Sequence, residues 1–220
     1  MGACALSSCH EFFSAPLDTY GNALINWQSD PTTDLTVYAG SYRCAAMNLV
    51  AFRQQLKYGS IDEAALPILF LYRHSFELYL KAIIYKAAIV SINKAELLIA
   101  LPKLWREHSL VALGKMAEPV IGANSGQMLA STGELSQNIS DLARQIDEVD
   151  SGSYSFRYPV TSRGAASLPL AFLTNIFVFS ERVETVLDDV AQFCRQLEDE
   201  RIQASDQVKL ALHIFANPAG

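Results

Sequence analysis

The fold is decided by residues 64–90, which read AALPILFLYRHSFELYLKAIIYKAAIV. Apolar side chains occupy most positions in this stretch, and their length and spacing predict one long helix that is buried on most of its surface. Arg73, His74 and Glu77 stand in its middle. Removing a charge from water costs several kcal/mol unless partners compensate for it, so a buried helix that carries these groups needs a structural or functional reason for them.

Helical patterns also predict most of the remaining chain. Ser60 and Glu63 form a capping box before the central helix, although Pro67 can move its start to about Ala65. A loop is expected at 151–167, where Gly, Ser and Pro are frequent. The other expected elements are helices at about 35–56, 108–121, 134–150 and 168–204, and a short helix or turn at 94–105.

These elements predict an all-α fold, an up-and-down antiparallel bundle of about five main helices. Short connections favour antiparallel neighbours, and no strand-rich segment or internal repeat appears in the sequence. We expect an N-terminal extension at 1–34, a helical bundle at 35–205 and a C-terminal tail at 206–220.

Composition limits the function further. Hydrophobic residues make up 50% of the 220 residues and charged residues only 18%, which predicts that a subunit interface covers apolar surface, most simply in a homodimer. The net charge of −6 argues against non-specific binding to a phosphate backbone as the main activity. Charged side chains within 67–90 argue against a membrane span, so we expect a cytoplasmic protein.

The cysteines indicate a reducing compartment. They are widely spread and form no C-x-x-C pair, so we expect free thiols. Cys4, Cys9 and His10 lack an evident fourth ligand, and we predict neither a metal site nor a cofactor. The four cysteines are Cys4, Cys9, Cys44 and Cys194.

The central helix brings its polar groups to one side. Arg73, Glu77 and Lys81 are spaced four residues apart and can pair along the helix, and His74 borders the same sector. In one interpretation these groups satisfy one another and tie the helix to a neighbour. In the other they form an anion or nucleotide pocket, in which Arg73 binds phosphate and His74 supplies a titratable donor.

Two further segments can join this sector. His108 stands at the expected start of a helix, where it either caps the helix or points at the central one. Arg157 and Tyr158 precede Pro159, which favours an extended Tyr158 and would send the two side chains to opposite sides. The candidate catalytic residues are His74 and His108. The candidate binding residues are Arg73, His74, Glu77, Lys81, His108, Arg157 and Tyr158.

Three segments together resemble the HEPN superfamily of helical-bundle proteins. They are FLYRHSFELYLKAII at 70–84, HSLVAL at 108–113 and SFRYP at 155–159. The resemblance implies a cytoplasmic, usually dimeric bundle, often encoded in toxin–antitoxin or phage-defence loci, and in many members a metal-independent ribonuclease. Such members use an Arg and a His a few residues apart. In this chain the nearest preceding arginines stand one, two and twelve residues before His74, His108 and His213, so those catalytic roles are not carried over.

Three functions follow as expectations. The first is a module that binds a nucleotide, RNA or a protein partner from the same operon through the Arg/His/Glu cluster. The second is a ribonuclease with a divergent site built from Arg73, His74, His108 and Arg157, in which a His acts as base and an Arg stabilises the phosphorane. The third is a structural or neutralising subunit that accompanies a toxin.

Overall fold

The computed structural model describes residues 31–56, 61–91, 94–124, 132–168 and 172–199. Within these ranges the chain is all-α, as predicted, and its only β-type pairing is an isolated bridge between Val160 and Ala166. The helices are α1 (Pro31–Gln55), α2 (Asp62–Ser91), α3 (Lys94–Arg106), α4 (Leu110–Ala123), α5 (Thr132–Asp150) and α6 (Ile176–Asp199).

Helix α2 is the centre of the fold and packs against α1, α3, α4 and α6. It runs antiparallel to α1, because the Ser75 hydroxyl donates to the Ala39 carbonyl at 2.8 Å while Arg53 approaches Glu63 at the other end. Side chains on several sides of α2, among them Ile68, Leu80 and Ile83, are fully buried. The mostly apolar sequence of the helix is explained by this burial on nearly all sides.

Helices α4 and α5 form a second close pair. They run antiparallel, with Asp147 near the start of α4 and Ile139 beside Gly114. A Cβ atom added at Gly114 would lie 3.3 Å from the Cγ2 atom of Ile139, so the glycine allows the two helices to approach closely. This pair carries the segments that complete the polar site on α2.

Several helix ends differ from the sequence-based expectations. Helix α1 begins at Pro31 rather than near residue 35, and α2 begins at Asp62 with Pro67 inside it, where the ring is exposed. Helix α6 begins at Ile176 rather than 168, because the Asn175 side chain accepts the N–H groups of the first turn. Ser60, the tail at 206–220 and most of the N-terminal extension lie outside the described residues.

Among the helices of the described ranges, none combines the length and the hydrophobicity that crossing a lipid bilayer requires.

Candidate functional site

Arg73 is fully buried and its guanidinium connects three parts of the fold. Its Nη1 donates to Glu77 at 2.8 Å within α2. Its Nη2 donates to the backbone oxygen of His108 at 2.6 Å, and its Nε donates to the backbone oxygen of Asp150 at 3.0 Å. All three guanidinium nitrogens therefore bind protein oxygens, and Arg73 joins α2 to the α3–α4 connection and to the end of α5.

Glu77 is the shared acceptor of this group. Its Oε1 accepts from Lys81 Nζ at 2.8 Å and lies 2.9 Å from Nδ1 of His108. Burial alone would raise the pKa of the Glu77 carboxyl, but the positive charges of Lys81 and Arg73 and the hydrogen bonds at its oxygens hold that pKa below its ordinary value. The carboxyl group is therefore ionised at neutral pH.

His108 lies immediately before α4 and points at the central helix. Its side chain is 47% exposed although Nδ1 faces the buried Glu77 carboxylate. An Nδ1 atom beside a carboxylate carries the proton, so the tautomer assigned from this contact leaves Nε2 as an acceptor. The side chain of Glu107 accepts the backbone N–H groups of His108 and Ser109, which fixes the peptide that carries the imidazole.

Asp147 and Asp150 complete the buried group, and neither was among the residues expected from the sequence. The carboxylate of Asp150 lies 3.2 Å from Arg73 Nε, and that of Asp147 lies 3.9 Å from Arg73 Nη2. Asp150 stands four residues after Ile146, on the apolar stripe of α5. A carboxylate at a position of that stripe is the sequence signal that could have identified Asp150 as a buried acidic residue. The buried ion cluster is hereafter Arg73, Glu77, Lys81, His108, Asp147 and Asp150.

The charges of the buried ion cluster do not favour the binding of an anion. Leaving the imidazole aside, two cations, Arg73 and Lys81, face three carboxylates, and 2 − 3 gives a formal charge of −1. A phosphate that approached Arg73 would also have to displace hydrogen bonds that already satisfy it. The arrangement therefore matches the interpretation in which these groups satisfy one another.

His74 points to a different environment. Its ring stacks on Phe70, with centroids 5.5 Å apart and planes 11° apart, and it meets the Tyr42 ring edge-on at 4.5 Å. Burial lowers the pKa of the imidazole, because removal from water disfavours its charged form. The negative charge of Glu77 opposes this shift, and the positive charges of Lys81 and Arg73 add to it.

Arg157 reaches the same rings from the loop after α5. Its guanidinium lies 5.6 Å from the Phe70 centroid and 5.4 Å from the Tyr158 centroid, and its Nε donates to the Ser153 carbonyl at 2.7 Å. The expectation that Arg157 and Tyr158 project to opposite sides was wrong. A tight turn, in which both their N–H groups bind the Tyr154 carbonyl, folds the guanidinium back over the Tyr158 ring.

These rings and the guanidinium form one continuous surface feature. Tyr154 extends it, since its ring lies 4.6 Å from that of Tyr158. Arg157 and Tyr158 are exposed, whereas Phe70, His74 and Tyr42 are partly buried. The aromatic strip is hereafter Tyr42, His74, Phe70, Arg157, Tyr158 and Tyr154.

The structure thus divides the predicted site residues into two groups. Arg73, Glu77, Lys81 and His108 belong to the buried ion cluster, whereas His74 and Arg157 contact Phe70 in the aromatic strip. Tyr158 lies in that strip beside Arg157.

Two carboxylates of α6 form an ion pair with α1 that the sequence did not indicate. Glu184 and Asp188 of α6 both bind Arg43 of α1. Nε of Arg43 donates to Glu184 at 2.8 Å, and the Glu184 side chain is only 21% exposed. Arg43 stands 141 positions from Glu184 in the sequence, so the charge pattern of one helix cannot show that the two residues pair.

Within the described ranges, no three His, Cys, Asp or Glu side chains are grouped as ligands of a metal ion. Cys4, Cys9 and His10 lie outside those ranges. Comparison of the chain with family models, with curated proteins and with solved structures gave no match. Any function must therefore be inferred from the chemistry of the site itself.

Proposed function

We propose that this chain is a helical module that binds RNA or a nucleotide along the aromatic strip, while the buried ion cluster holds the supports of that strip in place. The observation that carries the proposal is the position of Arg157, an exposed guanidinium that lies over the rings of Phe70 and Tyr158. A cation among ring faces offers both contacts that a nucleotide needs, a partner for phosphate and a surface on which a base can stack.

The strip suits a single strand or a free nucleotide better than a duplex. Stacking a base on an aromatic side chain contributes about 1–3 kcal/mol and does not depend on base identity. The chain has a net charge of −6, so long-range attraction to a phosphate backbone is unfavourable and binding has to come from such local contacts. Weak dependence of the affinity on salt concentration is therefore part of the proposal.

The buried ion cluster supports the strip through Asp150. The backbone oxygen of Asp150 accepts from Arg73, and its Oδ1 accepts the N–H groups of Tyr154 and Ser155 at 2.6 and 2.8 Å. The Tyr154 carbonyl in turn accepts the N–H group of Arg157 at 3.0 Å. A chain of hydrogen bonds thus runs from the centre of α2 to the backbone of Arg157.

Binding of a labelled single-stranded RNA and of a fluorescent adenine nucleotide, measured by anisotropy, tests the proposal. Arg157→Ala should weaken binding by roughly 5- to 150-fold, the range that corresponds to the loss of about 1–3 kcal/mol. Arg163→Ala is the matched control, because Arg163 is an exposed arginine of the same loop. The affinity of this variant should stay within about twofold of that of the wild type. Equal losses in the two variants, or no binding by the wild type, would reject the proposal. Capture of a protein partner that needs Arg157 would favour the protein-binding alternative instead.

A ribonuclease is the second candidate, because of the geometry at His108. A buried carboxylate that holds Nδ1 of a half-exposed imidazole fixes the tautomer in which Nε2 can accept a proton, as a general base must. Labelled tRNA and total RNA, incubated with and without a chelator, should then be cleaved by the wild type and not by His108→Ala. Cleavage that persists in His108→Ala, or that is lost equally in the exposed-site control Arg195→Ala, would exclude this candidate.

The broader setting follows from the resemblance and stays a prediction. It comprises a HEPN-like bundle, a cytoplasmic location, a toxin–antitoxin or phage-defence locus and a protein partner from the same operon. A homodimer is expected from the composition as well as from the resemblance.

A further inference from the structure

Helix α1 presents an outward face that no described segment covers. Exposed residues recur along it at alternating spacings of four and three, the spacing of a seam between two packed helices. Large apolar side chains flank this seam, including Tyr38 at 41%, Met47 at 46% and Phe52 at 56% exposure. The α1 seam consists of Val37, Ser41, Cys44, Asn48, Ala51 and Gln55.

This face carries no formal charge over about five helical turns. Between positions 35 and 56 the ionisable residues are two arginines, Arg43 and Arg53, together with Tyr38, Tyr42 and Cys44. Both arginines turn away from the face, Arg43 to carboxylates of α6 and Arg53 towards Glu63 of α2. The exposed surfaces of α4, α5 and α6 differ in this respect, since each carries charged side chains.

We propose that the outward face of α1 is the interface between two copies of this chain, with α1 packed against its counterpart around a two-fold axis. A two-fold interface sets one surface against itself, so any net charge on it would face charge of the same sign. For a chain of net charge −6, an uncharged face lets two copies meet without that repulsion. Small seam residues, Ser41, Cys44 and Ala51, allow the helix axes to approach closely, and Asn48 supplies a polar seam position of the kind that fixes register in paired helices.

The test measures the molar mass of the full-length chain by size-exclusion chromatography with light scattering, at tens of micromolar. The wild type should elute with twice the mass of the chain, and Ala45→Glu should elute as a monomer. The substitution places an acidic group beside the seam, and it should weaken dimerisation by roughly 100-fold or more. Gln192→Glu adds the same charge at an exposed position of α6 and should leave the dimer intact.

A second variant separates loss of association from loss of folding. Asn48→Lys puts the opposite charge on the α1 seam and should also give a monomer, with the helical circular dichroism and the melting temperature of monomeric Ala45→Glu. A monomeric wild type, or a dimer that survives both substitutions, overturns the inference. The same holds if both variants lower the melting temperature without changing the mass, because another segment of the chain would then cover this face.

Discussion

Glu77 is the residue on which the buried ion cluster depends most. It is 2% exposed and pairs with both Arg73 and Lys81. Glu77→Gln keeps the shape of the side chain but removes its charge, which leaves two buried cations with less compensation. We expect the free energy of unfolding to fall by about 3–5 kcal/mol, the usual cost of breaking a buried pair by removing one partner. Urea denaturation measures this change.

The control for Glu77 is Glu148→Gln on α5. The Glu148 side chain is 65% exposed and lies 3.4 Å from Arg144, so its loss should change the free energy of unfolding by less than about 0.5 kcal/mol. If Glu77→Gln lowered the free energy of unfolding as little as this control, Arg73 would not depend on the Glu77 charge. The proposal that the buried ion cluster supports the aromatic strip would then be wrong.

His74 gives the site a dependence on pH. Burial lowers its pKa in the folded chain below the ordinary 6.5, so between the two values the unfolded chain binds more protons. Stability should therefore fall as the pH drops from 7.5 through 6.5, and the loss should end below the folded-state pKa of His74. In His74→Gln this part of the pH dependence should disappear. Thermal melting at a series of pH values measures it, and an unchanged profile in the variant would exclude His74 as its source.

Glu77 acts in a more acidic range, which keeps the two effects apart. Its pKa is held below the ordinary 4.5, so its contribution to stability is fully present above that value and is lost as the pH falls through the folded-state pKa. His74→Gln should leave this acidic loss unchanged.

At the scale of elements, the start of α4 is capped from another helix. The Asp147 carboxylate on α5 accepts the N–H groups of Leu110 and Val111 and the Ser109 hydroxyl, and that hydroxyl accepts the N–H group of Ala112. Free N–H groups at a helix start need acceptors, and a negative charge there also interacts favourably with the helix dipole.

Asp147→Ala should therefore destabilise the fold through α4. We expect the free energy of unfolding to fall by about 2–3 kcal/mol, since the N–H groups of Leu110 and Val111 lose their acceptor and the charge near Arg73 is lost. Asp141→Ala, on the same helix but with a side chain that is 47% exposed, should cost less than about 1 kcal/mol. Guanidinium unfolding of both variants measures the difference, and equal losses would show that the cap contributes little.

The elements themselves were largely predictable, because helix periodicity is a local property of the sequence. The Arg73–Glu77–Lys81 spacing predicted pairing along α2, and the structure confirms it. The contacts made across the fold were not predictable in this way. Arg73 binds the Asp150 backbone from 77 positions away, and only the packing of α5 against its neighbours brings them together. Pro159 misled the prediction for Arg157, because a turn stabilised by backbone hydrogen bonds outweighs the local preference of the residue before proline.

At the scale of the whole molecule, α2 lies between two ionic groups on different sides. The buried ion cluster connects it to α4 and α5, and Arg43 connects α1 to α6 beside Tyr72 of α2. Burial, followed by the nearby negative charge of Glu184, raises the pKa of the Tyr72 phenol above its ordinary value, so the phenol stays neutral. The first and last helices of the described chain, α1 and α6, are thus joined directly by a charge pair that lies beside α2.

This pair predicts coupling between the two ends of the described sequence. The Arg43 side chain is 14% exposed, and Arg43→Met would leave Glu184 partly buried without its cation, at an expected cost of about 2–4 kcal/mol in the free energy of unfolding. Glu184→Gln alone should also destabilise the fold. The double variant should be less destabilised than the sum of the two, by about 1–2 kcal/mol, because neither charge is then left without its partner. A double-mutant cycle by urea denaturation measures this term. Additive losses would mean that α1 and α6 are held together by apolar packing alone, and the Arg43–Glu184 contact would then have no part in joining them.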